Sequence, residues 1–186
     1  MAGWYSGPRP MDFPAVFDEV ASFLEGSGHP VAVVGGLGLH AYGLSRATFD
    51  LDLLTEASAQ PALVAFLERS GYEALHVSAG YSNHVHRSAS RGRIDVVYVD
   101  PATAERVFRD ARARLALGPR QALVPRPEHL AAMKVRAMKN DPTRTLQDMA
   151  DIQGLLRLPE TDREEVRSYF ERAGLSDKYD EILRSL

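Results

Sequence analysis

Cysteine is absent from the 186-residue chain, which excludes disulfide scaffolds, thiolate zinc sites and a cysteine nucleophile. Lysine is nearly absent: Lys134, Lys139 and Lys178 are the only three, and arginine supplies the other 19 of 22 basic side chains. No apolar stretch approaches the roughly 20 residues needed to span a bilayer. The start, Met1 to Pro10, is polar and rich in Gly and Pro. It has no basic segment followed by an apolar one, so it does not read as a secretory leader. Neither a G-x-S-x-G elbow nor a Gly-Lys-Ser/Thr loop occurs, which removes the α/β-hydrolase triad and the Walker phosphate loop. What remains is an ordinary globular mixture, 45% hydrophobic and 25% charged, expected to be a soluble cytoplasmic protein.

The net charge of -3 hides an asymmetry. Residues 1–86 carry a net -6, residues 87–144 a net +7 and residues 145–186 a net -4. A basic middle between acidic ends points to a polyanionic partner, or to a set of solvated helix faces.

Hydrophobic spacing predicts an amphipathic helix over 12–26, with Asp12 as N-cap and Gly26-Ser27-Gly28 as the stop. The run 31–34 reads as a buried strand ended by Gly35-Gly36, and 37–42 as a short helix. Residues 48–54 alternate with period two, as in a half-buried strand. Ser58 is read as the cap of a helix to Ser70. Three strands follow at 72–77, 83–87 and 93–99, the last two joined as a hairpin by a polar turn at 88–92. Asp100-Pro101 opens a helix to about Arg112. Leu115 and 122–124 read as short edge strands, and Pro125 and Pro127 open a long helix through Lys139. Segments 143–156, 161–173 and 176–186 are helical, with Thr161 and Glu164 as a capping box and Gly174 as a stop. The fold class is therefore α+β. A small mixed sheet with flanking helices over 1–124 is followed by a C-terminal helical bundle over 125–186.

Three acidic residues stand in apolar strands. Asp50 and Asp52 are two apart, so their carboxylates project from one face about 7 Å apart along the chain. Asp95 lies within Arg-Ile-Asp-Val-Val-Tyr-Val. Buried carboxylates are costly unless paired or bound to a cation. If the two strands are neighbours, the three acids meet. Mg²⁺ then relieves their repulsion, as a site of two ions about 3.5–4 Å apart. The other reading is a row of exposed polar teeth on a strand edge. Gly35-Gly36, between a buried strand and a helix, allows close approach of backbone N–H groups to a phosphate, or is a plain turn. His84 and His86 share one strand face, but no third ligand has zinc spacing, so they line the cleft or sit exposed. His40 reads as packed beneath the glycine turn, and His129, near the start of the Lys134 helix, as a cleft contact or as no part of the site.

The ordered set Gly35-Gly36, Tyr42-Gly43, Arg46, Thr48, Asp50-Leu51-Asp52 and Ile94-Asp95-Val96 resembles the polymerase-β-type nucleotidyltransferase superfamily. The stretch Gly-Leu-Ser-Arg-Ala-Thr-Phe-Asp-Leu-Asp is similar in particular to the AbiEii-type toxin nucleotidyltransferases and their small bacterial relatives. So is the run Glu128-His129-Leu130, Met133-Lys134, Asp141, Arg144, Asp148, Asp151-Ile152 and Leu155-Leu156. The likeness covers roughly residues 31–156. It implies an enzyme that moves a nucleoside monophosphate from an NTP to a hydroxyl. Asp50, Asp52 and Asp95 would be the metal-binding and catalytic acids, with Asp95 as base. Gly35 and Gly36 would cradle the β- and γ-phosphates, and Arg46 would reach the triphosphate or the acceptor. Lys134 would neutralise phosphates, and Asp148 would face the site with Arg144 beside it. Gln147 stands where the family often has arginine.

For the acceptor, the basic block favours RNA, with Arg87, Arg91 and Arg93 of the hairpin as its contacts. The toxin likeness implies the tRNA 3′ end and a cognate antitoxin or toxin partner, in a toxin-antitoxin or phage-defence setting. Three alternatives stand beside it: adenylylation of a protein, transfer to a small molecule such as an aminoglycoside, and a nucleotide-binding module without turnover.

Overall fold

The computed structural model describes residues 10–186. The N-terminal stretch read above as no leader lies, except for Pro10, outside them. Helix α1, Phe13–Gly26, starts at the Asp12 cap, whose carboxylate accepts from the Ala15 N–H. Strand β1 is Val31–Val33 and α2 is Gly35–His40, so the two glycines form the first turn of the short helix rather than a loop before it. Strand β2, Asp50–Glu56, begins and ends two residues later than its pattern predicted. Helix α3 is Gln60–Arg69. Ser58 does not cap it. Its hydroxyl donates to Glu56 instead, and a short 3-10 turn at Ala57–Ala59 leads into the helix.

Strands β3, Tyr72–Ser78, β4, Tyr81–His86, and β5, Arg93–Val99, follow. Helix α4, Pro101–Asp110, is capped by Asp100. Strands β6, Arg112–Leu117, and β7, Arg120–Val124, form a hairpin. Helices α5, Pro127–Asn140, α6, Thr145–Leu156, α7, Arg163–Ala173, and α8, Ser176–Arg184, complete the chain. Asp162 caps α7 by accepting from the Glu164 and Glu165 N–H groups. The expected cap Thr161 turns its hydroxyl to the Leu155 carbonyl. Gly174 ends α7 in the left-handed conformation.

The seven strands form one mixed sheet in the order β3-β4-β5-β2-β1-β7-β6. Strands β2 and β5 are parallel, as are β1 and β7. The expectation of two edge strands thus holds for β6 alone, because β7 is interior. Alternation sorts the side chains onto two faces. Leu51 and Leu53 of β2 join Ile94, Val96 and Tyr98 of β5 under α1 and α3. Leu54 and Val124 face the other way and share a second core with α5 to α8. A fully buried side chain of this size contributes roughly 1.5–3 kcal/mol. The site-bearing residues Asp50, Asp52, Arg93 and Asp95 alternate with the first group, so they lie on the helical-bundle side. None of the described helices is long and apolar enough to cross a membrane.

Candidate active site

The parallel register of β2 and β5 sets Asp52 directly beside Asp95, with Asp50 opposite Arg93. Ligand oxygens of Asp50, Asp52 and Asp95 all lie within 4.8 Å of one another. Each acid is held. The Thr48 hydroxyl donates to Asp50 at 2.8 Å. Arg93 grips Asp95 through two bonds of 2.8 and 3.0 Å. The Val34 N–H donates to the Asp52 carbonyl at 3.0 Å. Burial pushes the Asp52 carboxyl up to about 7, and the charges of Asp50 and Asp95 add to the shift. Lys134 and a backbone hydrogen bond from Gly36 oppose it. Three carboxylates that offer only oxygen ligands this close together suit a hard divalent cation, whose charge offsets theirs.

The glycines serve this cluster first. Gly35 has φ +57°, and a β-carbon there would fall 1.8 Å from Asp52 Oδ2. A β-carbon at Gly36 would fall 2.6 Å from the Thr48 β-carbon. Gly35 lines the cavities described next, whereas Gly36 is buried beneath them.

Two cavities meet at Asp52, Asp95 and Tyr81. The smaller, about 380 Å³, is strongly polar and gathers Arg46, Arg93, Lys134 and Arg144 around the acids. Lys134 reaches it from α5, held by Asp148 at 3.1 Å and Asp151 at 2.7 Å. Asp148 is fully buried behind the lysine, with Arg144 Nε 3.6 Å away. It therefore touches the cavity only through Lys134. Arg46 is tied to Asp151 at 2.9 Å, and the Gln147 amide, with its oxygen turned inward, would accept from the same guanidinium at 2.9 and 3.0 Å. Four cationic side chains thus meet at the acids, brought from the loop before β2, from β5, from α5 and from the turn before α6.

Asp151 was legible only as part of the family-like run, three residues after Asp148 on one helix face. Tyr81 carried no sequence signal. It lines both cavities beside Asp95, and burial first, then the Asp95 charge, hold its pKa up.

The larger cavity, about 830 Å³, is a groove between the sheet and α4, α5 and α7. Leu54, Val97, Val99 and Met133 give it an apolar floor, and Arg106, Arg109, Arg136 and Arg172 stand along it. Arg126 lies at its end among Asp110, Glu128 and Glu165. His129 lines the groove, its pKa held down by burial and by Arg126.

Other sequence expectations are corrected. Of the hairpin arginines only Arg93 reaches the site. Arg91 pairs with Glu19 and lies over the Tyr72 ring, and Arg87 is exposed outside both cavities. His84 neither lines the cleft nor sits exposed. It is buried on the opposite sheet face, bonded to Ser82, which bonds Tyr98, and burial lowers its pKa. His86 accepts the Ser88 N–H. His40 is exposed rather than tucked beneath the glycine turn.

No protein-family model matches this sequence, and no curated protein does. Solved structures do. The antibiotic-resistance factor ANT(2'')-Ia shares 13% identity over 92% of this chain and 89% of its own, with a TM-score of 0.55. An antigenic nucleotidyltransferase-like protein from Paracoccidioides brasiliensis shares 15% identity over 92% of this chain and 95% of its own, at 0.53. The lincosamide antibiotic adenylyltransferase LnuA shares 15% over 77% and 96%, at 0.50. The α+β architecture is that of nucleotidyltransferase structures.

Proposed function

We propose that the chain is a nucleotidyltransferase that moves a nucleoside monophosphate from an NTP to a hydroxyl of RNA and releases pyrophosphate. One observation carries this reading: three carboxylates converge within 4.8 Å on adjacent strands, with Lys134 facing them across a polar cavity. The nucleotidyltransferase fold supports it.

Asp50, Asp52 and Asp95 would hold Mg²⁺, as two ions, which polarises the α-phosphate and steadies the leaving pyrophosphate. Arg46, Lys134 and Arg144 offset triphosphate charge, with Gly35 giving the phosphates room at the acids. Asp148 and Asp151 fix the lysine for that task. Asp95 Oδ accepts the proton of the acceptor hydroxyl as its oxygen bonds to the α-phosphorus. The bond from that phosphorus to the pyrophosphate oxygen then breaks in line. Arg93 orients the Asp95 carboxylate. Catalysis is positioning plus electrostatics.

The finer setting rests on the likeness to AbiEii-type toxins: the tRNA 3′ end as acceptor, in the cytoplasm, under control of a cognate antitoxin. The neighbours named for antibiotics favour a small-molecule acceptor instead. Arginines along the groove disfavour a polycation such as an aminoglycoside. The test incubates the protein with each α-labelled NTP, Mg²⁺, total RNA and cell lysate. Label on tRNA is expected. Label on a protein or on no macromolecule would move the acceptor elsewhere.

A further inference from the structure

We infer that the groove beside the acidic cluster is the track for the single-stranded 3′ end of the acceptor RNA, with Arg106, Arg109, Arg136 and Arg172 as its phosphate contacts. This rests on the nucleotidyl-transfer reading above and replaces the hairpin arginines as the RNA surface.

The direction follows from the reaction. Entering and leaving oxygens lie on opposite sides of the α-phosphorus. The polar cavity, which of the two alone holds Arg46 and Arg93, takes the leaving pyrophosphate, with Lys134 and Arg144 at the seam it shares with the groove. The acceptor hydroxyl then comes from the other side, and the groove opens there, since Asp52 and Asp95 stand where the two spaces meet.

Charge selects the occupant. Among the described residues, Arg106, Arg109 and Arg136 have no carboxylate within ion-pair distance, although all three belong to the basic middle block. Arg172 lies over the Tyr169 ring at 4.8 Å and donates to the Ser168 carbonyl, which leaves its charge unneutralised. Of the groove's acids, Asp110 and Glu165 face Arg126, whereas Asp141 accepts only from the neutral Thr143 N–H and hydroxyl and keeps its charge. With Asp52 and Asp95 counted, the lining holds seven cationic side chains against five carboxylates, an excess that attracts a polyanion.

Shape selects a single strand. Helix α5 runs the length of the groove, about 21 Å for its 14 residues, and presents His129, Leu130, Met133, Ala137 and Asn140 at helical spacing. The floor of Leu54, Val97, Val99 and Met133 makes no hydrogen-bond demand, and Tyr81 adds an aromatic side chain. Cationic walls over an apolar and aromatic floor are how unpaired bases are held without sequence readout. A duplex, with its bases stacked inside, has no use for that floor.

The experiment measures binding of labelled tRNA, and of a single strand with the same 3′ end, at several salt concentrations without NTP. Arg106→Ala/Arg136→Ala should weaken both about tenfold or more. It should also reduce the log–log salt slope by about 1.4, the release expected for two single-strand phosphate contacts. NTP binding in calorimetry should be retained, which also shows the variant folded. Arg87→Ala should bind RNA as wild type does. An unchanged slope in the double variant, equal harm from Arg87→Ala, or no RNA binding by wild type at physiological salt would overturn the groove assignment. Labelling of RNA by a double variant with unchanged KM would sink the groove and leave nucleotidyl transfer standing. Groove-dependent RNA binding with no transfer from any NTP would do the reverse.

Discussion

Gly35 lies so close to Asp52 that a β-carbon on it would fall 1.8 Å from Asp52 Oδ2. Gly35→Ala must therefore displace a carboxylate of the cluster, besides straining a backbone at φ +57°. Gly43 is the control, since it has φ +79° and nothing within 4 Å of its absent β-carbon. Both alanine variants should lose about 1–2 kcal/mol from the left-handed backbone. Only Gly35→Ala should also abolish Mg²⁺-dependent transfer. Paired melting curves and activity assays check this, and full activity in Gly35→Ala would refute the crowding argument.

Asp52 makes the stability of the metal-free protein depend on pH. Its carboxyl is raised from 3.8 to about 7 in the fold, so between those values the folded state holds a proton that the unfolded state has lost. The stabilisation is full below about pH 4 and is lost as pH rises through 7. Each unit of offset corresponds to about 1.4 kcal/mol. Asp52→Asn should melt several degrees higher than wild type at pH 8 and alike at pH 4, without any transfer activity. Mg²⁺ should raise the wild-type melting temperature more at pH 8 than at pH 6. A flat pH dependence in wild type would contradict the burial of this carboxyl.

Lys134 should prove structural as well as ligand-binding. Lys134→Ala strands Asp148, which is fully buried, and frees one side of Asp151. A loss of about 3–5 kcal/mol is expected, together with weak NTP binding. In Lys134→Met/Asp148→Asn the buried charge is gone, so the melting temperature should recover while NTP binding stays weak. Lys139→Ala, on an exposed position of the same helix, should change neither quantity.

Tyr81→Phe removes a hydroxyl that lines both cavities beside Asp95. The turnover number should fall severalfold through the changed surroundings of that carboxylate, with KM for NTP unchanged. A shift in KM alone would place Tyr81 against the nucleotide instead.

Much of this was legible from short-range pattern. The run 93–99 is β-branched and alternates around Asp95, so both the strand and the odd acid stood out. Asp50 and Asp52 were placed on one face by period two alone. Pattern failed where a distant partner decides. Strand β7 reads as an edge because its parallel neighbour β1 lies some ninety residues earlier, and only Ala32 with Leu123 marks their register. His84 looks like a cleft residue until Ser82 and Tyr98 bury it from the other side. Arg91 looks available to RNA until α1 brings Glu19 to it. Ser58 and Thr161 were credible caps, but Asp162 accepts two N–H groups at α7, and the turn before α3 gives Ser58 a nearer carboxylate.

Arg46, Leu44 and Gly154 together tie the segment before β2 to α6. Arg46 pairs with Asp151, and Gly154 lets the Leu44 side chain lie so near that a β-carbon would meet it at 3.1 Å. The two pieces are about a hundred residues apart in the chain, and these contacts should make them open as one unit. Hydrogen exchange should register this as concerted opening. The Gly43 and Leu44 amides, bonded to the His40 and Leu39 carbonyls, should share a common exchange free energy with the middle of α6. A bound triphosphate, bridging Arg46 and Lys134, should slow both segments by the same factor.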